Sequence, residues 1–378
     1  MRYTVDDGCN AWLASAMLNP DILMKVLKRF GSARQLYNAL CNGDSLVLGD
    51  YFEPNAIMRL RASAKRDAMH EMLVALHKES IGIISYDDFL YPDALRNINS
   101  PPPFLFYKGN LECLKKNCIT IVGTRKASPA SIEKTKEIAY DLAKAGVTIV
   151  SGLALGIDGA AHRGCLDAGG QTVGLCACGI DVNYPKEHEG LKKEILQKGG
   201  LLLSEYPPGI RPDPWHFPAR NRIMSGVCSA VVMMECQIRS GSMITVQHAL
   251  DQGREVFAYP GQSGTEHAQG AHQLLREGAN YFVSAEDILS DLGWNRKRMH
   301  VSEMKQDKPC FADETPVSEN QKKILSALNG GEQSYDQLAA ATGLSASELS
   351  GELTMLQLFG IIQALPGKQF MIRNKKTR

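Results

Sequence analysis

The sequence lacks any uninterrupted apolar stretch of membrane-spanning length, and its opening residues, MRYTVDDGCN, lack the basic and apolar regions of a secretory signal. Both absences point to a cytoplasmic chain with no membrane insertion. Ten cysteines are present, but no two stand as a Cys-x-x-Cys pair, and Cys176 and Cys178 alternate on one face of an apolar run. Neither a disulfide framework nor a metal site is expected, and no cofactor. An excess of one charge is also missing: 42 Lys and Arg stand against 41 Asp and Glu, so affinity for a polyanion must come from where the cations sit. The G-x-G-x-x-G fingerprint and the Walker motif are both absent. No Ser, His and Asp can be assigned as a triad from spacing, and no catalytic residue is expected.

What is there, over 378 residues, is material for two or three domains. From Cys118 to about Gly293 strand and helix signals alternate. Apolar runs at Cys118 to Val122, Val147 to Val150, Thr172 to Ala177, Leu201 to Ser204, Ala230 to Met234, Glu255 to Ala258 and Tyr281 to Val283 predict strands. Helical patterns separate most of them: Ile132 to Lys144, Ile157 to Asp167, His188 to Gln197, Ser242 to Gln252 and His272 to Glu277. Continuous apolar runs imply strands buried on both faces, hence an α/β fold with a doubly wound, mostly parallel sheet.

In such a sheet the ligand crevice lies beyond the carboxyl ends of the strands. The residues there are Gly123, Thr124, Arg125 and Lys126; Ser151 and Gly152; Cys178 and Gly179 with Tyr184, Pro185 and Lys186 beyond; Ser204, Glu205 and Tyr206; Glu235, then Ser240, Gly241 and Ser242; and Pro260 with Gly261. Hydroxyls, loop N–H groups and a permanently charged guanidinium suit phosphate. The stretch TIVSGLALGIDGAAH, Thr148 to His162, runs from a strand through glycines into a helix start, a ready anion site. Asp158 and His162 share one helix face there, either as functional groups or as a cap and a packed neighbour. The stretch Trp215 to Arg222, WHFPARNR, sets aromatic rings beside Arg220 and Arg222, as a single strand requires for base stacking and phosphate contact. Phe217 is expected against a base and Trp215 in the core. Glu205, Glu235 and Asp158 are candidates for acid–base work, but in basic surroundings they are expected to position arginines or cap loops.

Residues 1–80 have helical periodicity, including one long helix from Ala56 to His77, and predict a small module, either a nonspecific DNA-binding helix-hairpin-helix relative or, since its charges are mixed, an interaction or packing module. Residues 81–109, rich in proline, read as an extended connector, so that the central domain spans 81–295. A linker at 296–315 precedes a module at 316–373 with helices over Glu319 to Leu328, Tyr335 to Ala341 and Ala346 to Phe359 and two short strands, the order of a winged helix-turn-helix. Its third helix holds Glu348 and Glu352 and no basic residue, so it suits protein docking better than base reading. The cations Lys368, Arg373, Lys375, Lys376 and Arg378 cluster in the tail instead.

Seven ordered motifs carry a resemblance: VGTR (Val122 to Arg125), SGLALGIDGAAHRG (Ser151 to Gly164), SEYPPG (Ser204 to Gly209), FPARNRIMSG (Phe217 to Gly226), SGSMIT (Ser240 to Thr245), QGREVFAYPG (Gln252 to Gly261) and the stretch Gly270 to Ala279. Together they resemble the bacterial DNA-processing protein A (DprA, or Smf) family. The resemblance implies a sterile-alpha-motif-like helical domain, an extended Rossmann fold and a winged helix. It further implies a non-enzymatic protein that binds single-stranded DNA during natural transformation, forms a homodimer through the Rossmann domain and loads RecA. Carried over, Gly123, Thr124 and Arg125 would hold phosphates, with Ser151 and Gly152 as the adjacent wall. Phe217 would stack on a base, Arg220, Asn221, Arg222, Ser240, Gly241 and Ser242 would complete the pocket, and Lys186 would add a phosphate contact. A rival from another class is a nucleotide-processing phosphoribohydrolase, which the core resembles at fold level. Gln247 stands where that family's loop supplies a catalytic glutamate, which argues against hydrolysis.

Overall fold

The computed structural model describes residues 3–42, 49, 51–64, 66–261, 266–294, 318–328, 331–358, 361–365 and 369–372. The chain divides into two compact units, 1–297 and 298–378.

The first unit opens with five helices, α1 (Val5–Ser15), α2 (Pro20–Phe30), α3 (Ala33–Cys41), α4 (Pro54–Ser63) and α5 (Arg66–Glu79). The periodic stretch from Ala56 to His77 is thus two helices, not one. The break at Ala64, with ψ at 47°, follows Ser63, whose hydroxyl accepts the indole N–H of buried Trp12 at 3.0 Å. Trp12 also meets the edge of Tyr37 at 5.2 Å. These helices bury Trp12, Leu13, Leu36 and Leu60 in the same apolar cluster as Ile83, Phe104, Phe106 and Leu202. Among the described residues, the helices before β1 thus share one core with the sheet.

Strands β1 (Gly82–Ser85) and β2 (Phe104–Gly109) flank the short helix α6 (Asp93–Arg96). The expected connector is therefore part of the sheet, with β1 antiparallel to β2 and β2 antiparallel to the strand Leu201–Ser204. Pro101 to Pro103 lack the N–H that a ladder requires, and β2 begins directly after them. The excursion between the two strands is held by Arg96, which donates to the carbonyls of Tyr86 and Asp88 and lies over the rings of Tyr86 and Tyr91.

The rest follows the alternation: β3 (Cys118–Val122), α7 (Pro129–Lys144), β4 (Thr148–Ser151), α8 (Ile157–Asp167), β5 (Thr172–Leu175), α9 (Glu189–Gln197), β6 (Leu201–Ser204), α10 (His216–Gly226), β7 (Ala230–Met233), α11 (Gly241–Asp251), β8 (Glu255–Ala258), α12 (Gln269–Arg276), β9 (Asn280–Tyr281) and α13 (Ala285–Asp291). The sheet order is β1-β2-β6-β5-β4-β3-β7-β8-β9, and β3 to β9 run parallel. Strands β3 to β7 are buried at every position, as helices on both faces demand. Winding proceeds from β3 through β4 and β5 to β6, then returns past β3 to β7, so the topological switch point lies between β3 and β7.

The second unit has helices α14 (Glu319–Leu328), α15 (Tyr335–Thr342) and α16 (Ala346–Leu358), with an antiparallel sheet ordered β10 (Gln333–Ser334), β12 (Gln369–Ile372), β11 (Ile362–Leu365). Gly343, at φ 67°, ends α15 in the left-handed conformation that releases the chain into the turn. Ile324, Leu338, Leu349, Leu353 and Leu356 fill the core. This is a winged helix. Lys368, Arg373, Lys375, Lys376 and Arg378 lie outside the described residues.

His162 belongs to the core of the first unit. Thr172 Oγ1 donates its hydrogen to the Ile149 carbonyl at 2.7 Å, so at 2.7 Å from His162 Nδ1 it accepts, and the ring is the neutral Nδ1–H tautomer. Full burial, with repulsion from His188 and Arg220, drives its pKa from 6.5 down to about 3. The unfolded chain takes up this proton below about pH 6.5 and the folded chain does not, so stability falls by about 1.4 kcal/mol per pH unit until about pH 3. In urea titrations, wild type should lose about 2 kcal/mol more stability between about pH 7 and pH 5 than His162→Asn does. Equal losses would show that the buried imidazole does not govern this limb.

Candidate nucleic-acid interface

Loops leave the sheet in opposite directions at the switch point, and the residues that follow β3 and those that open α11 form the two banks of a cavity of about 480 Å³. Gly123, Thr124, Arg125 and Lys126 supply the first bank, Ser240, Gly241, Ser242, Ile244 and Thr245 the second, and the start of α10 closes it with Phe217, Pro218, Arg220 and Asn221.

The first bank is held by its backbone. The Thr124 N–H donates to the Glu235 carbonyl at 2.7 Å, tying the loop after β3 to the loop after β7. A Cβ at Gly123 would stand 2.5 Å from the Ile157 side chain, so only glycine lets the loop pass that close. Arg125 is exposed, and its guanidinium carbon sits 5.0 Å from the centre of the Phe217 ring. Tyr184 packs on the same ring at 5.6 Å. Phe217 is thus contacted by a tyrosine ring and by an exposed guanidinium.

The second bank is a helix start. Ser240 caps α11, its Oγ accepting the Ser242 N–H at 3.4 Å and lying 2.8 Å from Ser242 Oγ. The positive end of the helix dipole belongs to this bank, and within its first turn the Met243 N–H is taken by the Ser240 carbonyl at 3.0 Å. Asn221 links the banks by donating from Nδ2 to the Gly241 carbonyl at 3.3 Å.

The floor rests on a clamp. Arg220, only 5% exposed, donates from Nη1 to the carbonyls of Gly152 at 2.7 Å and Leu175 at 2.5 Å, and from Nε to Asn221 Oδ1 at 3.2 Å. Asp158 accepts the N–H groups of Gly152 at 3.1 Å and Ala154 at 3.3 Å. Burial raises the Asp158 pKa against the opposing pull of Arg220 and of these N–H groups, and burial lowers that of Arg220. Three cations, Arg125, Lys126 and Arg220, face one carboxylate, Asp158, among the described lining residues, so the crevice is net positive.

Nine of the thirteen expected site residues line this cavity: Gly123, Thr124, Arg125, Phe217, Arg220, Asn221, Ser240, Gly241 and Ser242. Four do not. Ser151 is fully buried, the last residue of β4, and its hydroxyl donates to the Ile121 carbonyl at 2.7 Å. Gly152 has its N–H and carbonyl engaged by Asp158 and Arg220, and a Cβ there would lie 2.7 Å from the guanidinium. Arg222, two positions along the helix from Arg220, emerges on the far side of α10 and pairs with Glu205 at 2.6 Å. Lys186 is exposed outside the cavity wall, and its neighbour Tyr184 contributes the ring instead. Trp215, expected in the core, is 83% exposed.

Eight lining residues lie outside the thirteen, Thr245, Lys126 and Ala154 among them, and of these Lys126 is already placed in the crevice by its position after β3. Thr245 is 1% exposed, and its hydroxyl has no hydrogen-bond partner among the described residues. Its spacing of four from Gly241 on α11 was the available signal. Lys126 adjoins Arg125, and Ala154 follows the clamped glycine. The candidate acids are otherwise engaged. Glu235 Oε2 accepts the N–H and hydroxyl of Ser128, each at 3.0 Å, and Glu205 holds Arg222. Among the described residues there is no cluster that could hold a metal ion, and no helix is long and apolar enough to cross a membrane.

Comparison with known proteins agrees with this architecture. The family model described as DNA recombination-mediator protein A matches residues 82–293, and a DprA winged helix domain model matches 308–368. Protein Smf of Escherichia coli is 33% identical over 312 residues, covering 82% of this chain and 83% of that protein. The DNA processing protein DprA of Streptococcus pneumoniae is 42% identical over 204 residues, covering 54% and 72%. The X-ray structure of DprA from S. pneumoniae superposes with a TM-score of 0.65 at 34% identity, over 77% of this chain and 99% of that one. DNA processing protein A of Helicobacter pylori, studied for its single-stranded DNA binding mode, gives a TM-score of 0.50 at 30% identity, over 56% and 95%. By sequence, by the doubly wound sheet and by the winged helix that follows it, the chain belongs to the DNA recombination-mediator protein A (DprA) family.

Proposed function

We propose that this chain binds single-stranded DNA in the crevice between β3 and β7, protects the strand during natural transformation and passes it to the RecA recombinase. One juxtaposition carries the reading: an exposed guanidinium over Phe217, beside the amide-rich start of α11. An unstacked base finds a ring there, and the phosphates on either side find Arg125, Lys126 and the positive end of the α11 dipole. A duplex keeps its bases turned inward and cannot offer that face. Gly123, Thr124, Asn221, Ser240, Gly241 and Ser242 serve as backbone and polar contacts around it. Membership of the family supports the hand-off to RecA and a homodimer formed through the sheet-bearing unit. It also supports a binding role rather than a catalytic one. Glu348 and Glu352 leave α16 without a cation for phosphate, so the winged helix serves as a protein-docking module.

Arg125→Ala should weaken binding to fluorescein-labelled oligo-dT at least tenfold by anisotropy, from loss of a charge-assisted contact worth about 1.5 to 3 kcal/mol. Affinity should also fall as salt rises. Equal affinity of variant and wild type would refute the assignment. Truncation after Pro309 should retain most of the affinity, and its loss would move the binding site to the second unit. Incubation with nucleoside monophosphates should release no free base; release abolished by Glu235→Gln would favour a phosphoribohydrolase instead.

A further inference from the structure

Helix α10 presents a second aromatic ring on a second concavity. Trp215 stands at the N-cap of α10, two residues before Phe217, and is 83% exposed. It borders a separate groove of about 350 Å³ in the first unit, whose wall includes Met17, Tyr206, His216, Ala219 and Arg222. The wall is set in advance: the His216 ring stacks on Tyr206 at 3.9 Å, and its Nδ1 lies 3.2 Å from the Ala177 carbonyl. Folding gives no reason for tryptophan at this position. Its side chain makes no cap hydrogen bond, and its N–H donates to Asp213 through the backbone, which any residue other than proline would do. Arg222 is 8% exposed, with Nη2 held by Glu205 at 2.6 Å and Nη1 without a partner among the described residues.

We propose that this groove is a second base subsite for the strand bound at Phe217; the inference rests on that reading of the crevice. Two residues of chain span at most about 7 Å, so a strand stacked on Phe217 passes Trp215 within a nucleotide or two. A nucleobase matches the groove in both its parts, with a flat apolar face for the indole and a polar edge for the Arg222–Glu205 pair. A phosphate does not match, because Glu205 repels it. An aliphatic side chain does not match either, because it leaves Arg222 Nη1 as it is. The strand would therefore cross the N-terminal end of α10, with one base on each side of the helix.

The test uses the full chain and an oligo-dT long enough to cover both rings. Trp215→Ala should weaken binding about fivefold or more, and Trp215→Phe should restore most of it, since stacking tolerates a change of ring. Oligo-dT should quench tryptophan emission in wild type, and the quench should vanish in Trp215→Ala, because of the other two tryptophans Trp12 is buried and Trp294 packs half-buried against the cluster that holds Ile288 and Leu289. The urea midpoints should coincide, which separates the effect from misfolding. If Trp215→Ala binds like wild type while Arg125→Ala binds weakly, the crevice reading stands and the second subsite falls. If wild type does not bind oligo-dT, both fall. A change of oligomeric state in sedimentation with unaltered affinity would assign the groove to a second copy of the chain and overturn the inference.

Discussion

The crevice depends on how one peptide is held. Gly152 gives its N–H to Asp158 and its carbonyl to Arg220, so the loop after β4 is gripped at both ends by side chains from α8 and α10. Arg220 also takes the Leu175 carbonyl and thereby ties α10 to the ends of two adjacent strands. Burying a guanidinium and a carboxylate is costly, and the charge of each offsets part of that cost for the other while backbone groups satisfy their remaining atoms. Two groups that resemble a ligand site on paper are thus the frame of one. The rigidity matters because stacking and phosphate contacts lose most of their strength when the groups that make them must first be ordered.

With Arg220 in the frame and Arg222 on the far side of α10, the exposed guanidinium of the site comes from another element. Arg125 sits on the loop after β3, which the Thr124–Glu235 bond and the absence of a side chain at Gly123 hold against its neighbours. The arginines of α10 therefore place the ring, and the loop after β3 places the charge. Their meeting at 5.0 Å is the consequence of a switch point that brings β3 beside β7.

Much of this was legible in the sequence, because strands buried on both faces leave continuous apolar runs, and the loops after them list the crevice. What stayed hidden was whatever depends on helical phase or on packing from outside the element. Helix α10 is buried along most of its length, from Arg220 to Gly226, and so shows no apolar stripe by which to recognise it. Without the helix, the opposed directions of Arg220 and Arg222 cannot be inferred. Ser151 reads as the first loop residue but ends β4, where its hydroxyl finds a strand carbonyl. Strands β1 and β2 were obscured by the prolines between them, although those prolines lie outside the ladders. Trp215 misled through composition alone: tryptophan is usually well buried, and nothing local reveals that this one is not.

For the proposed reading, the carboxylates bear on whether a nucleotide is held or cleaved. A glycosidic hydrolase needs a carboxyl group free to meet the scissile bond. Here Glu235 caps the start of α7 through Ser128, Glu205 pairs with Arg222, and Asp158 secures the loop after β4. Gln247, where the rival family has its glutamate, donates to Asp251 on its own helix at 2.9 Å. Each acid near the strand ends already has a geometric task whose loss would disturb the walls, whereas the exposed Arg125 can receive a ligand without giving up a partner that the fold requires. Under the proposed reading, a crevice built in this way grips, with its cations and rings set against a polymer that carries a phosphate and a base at every step.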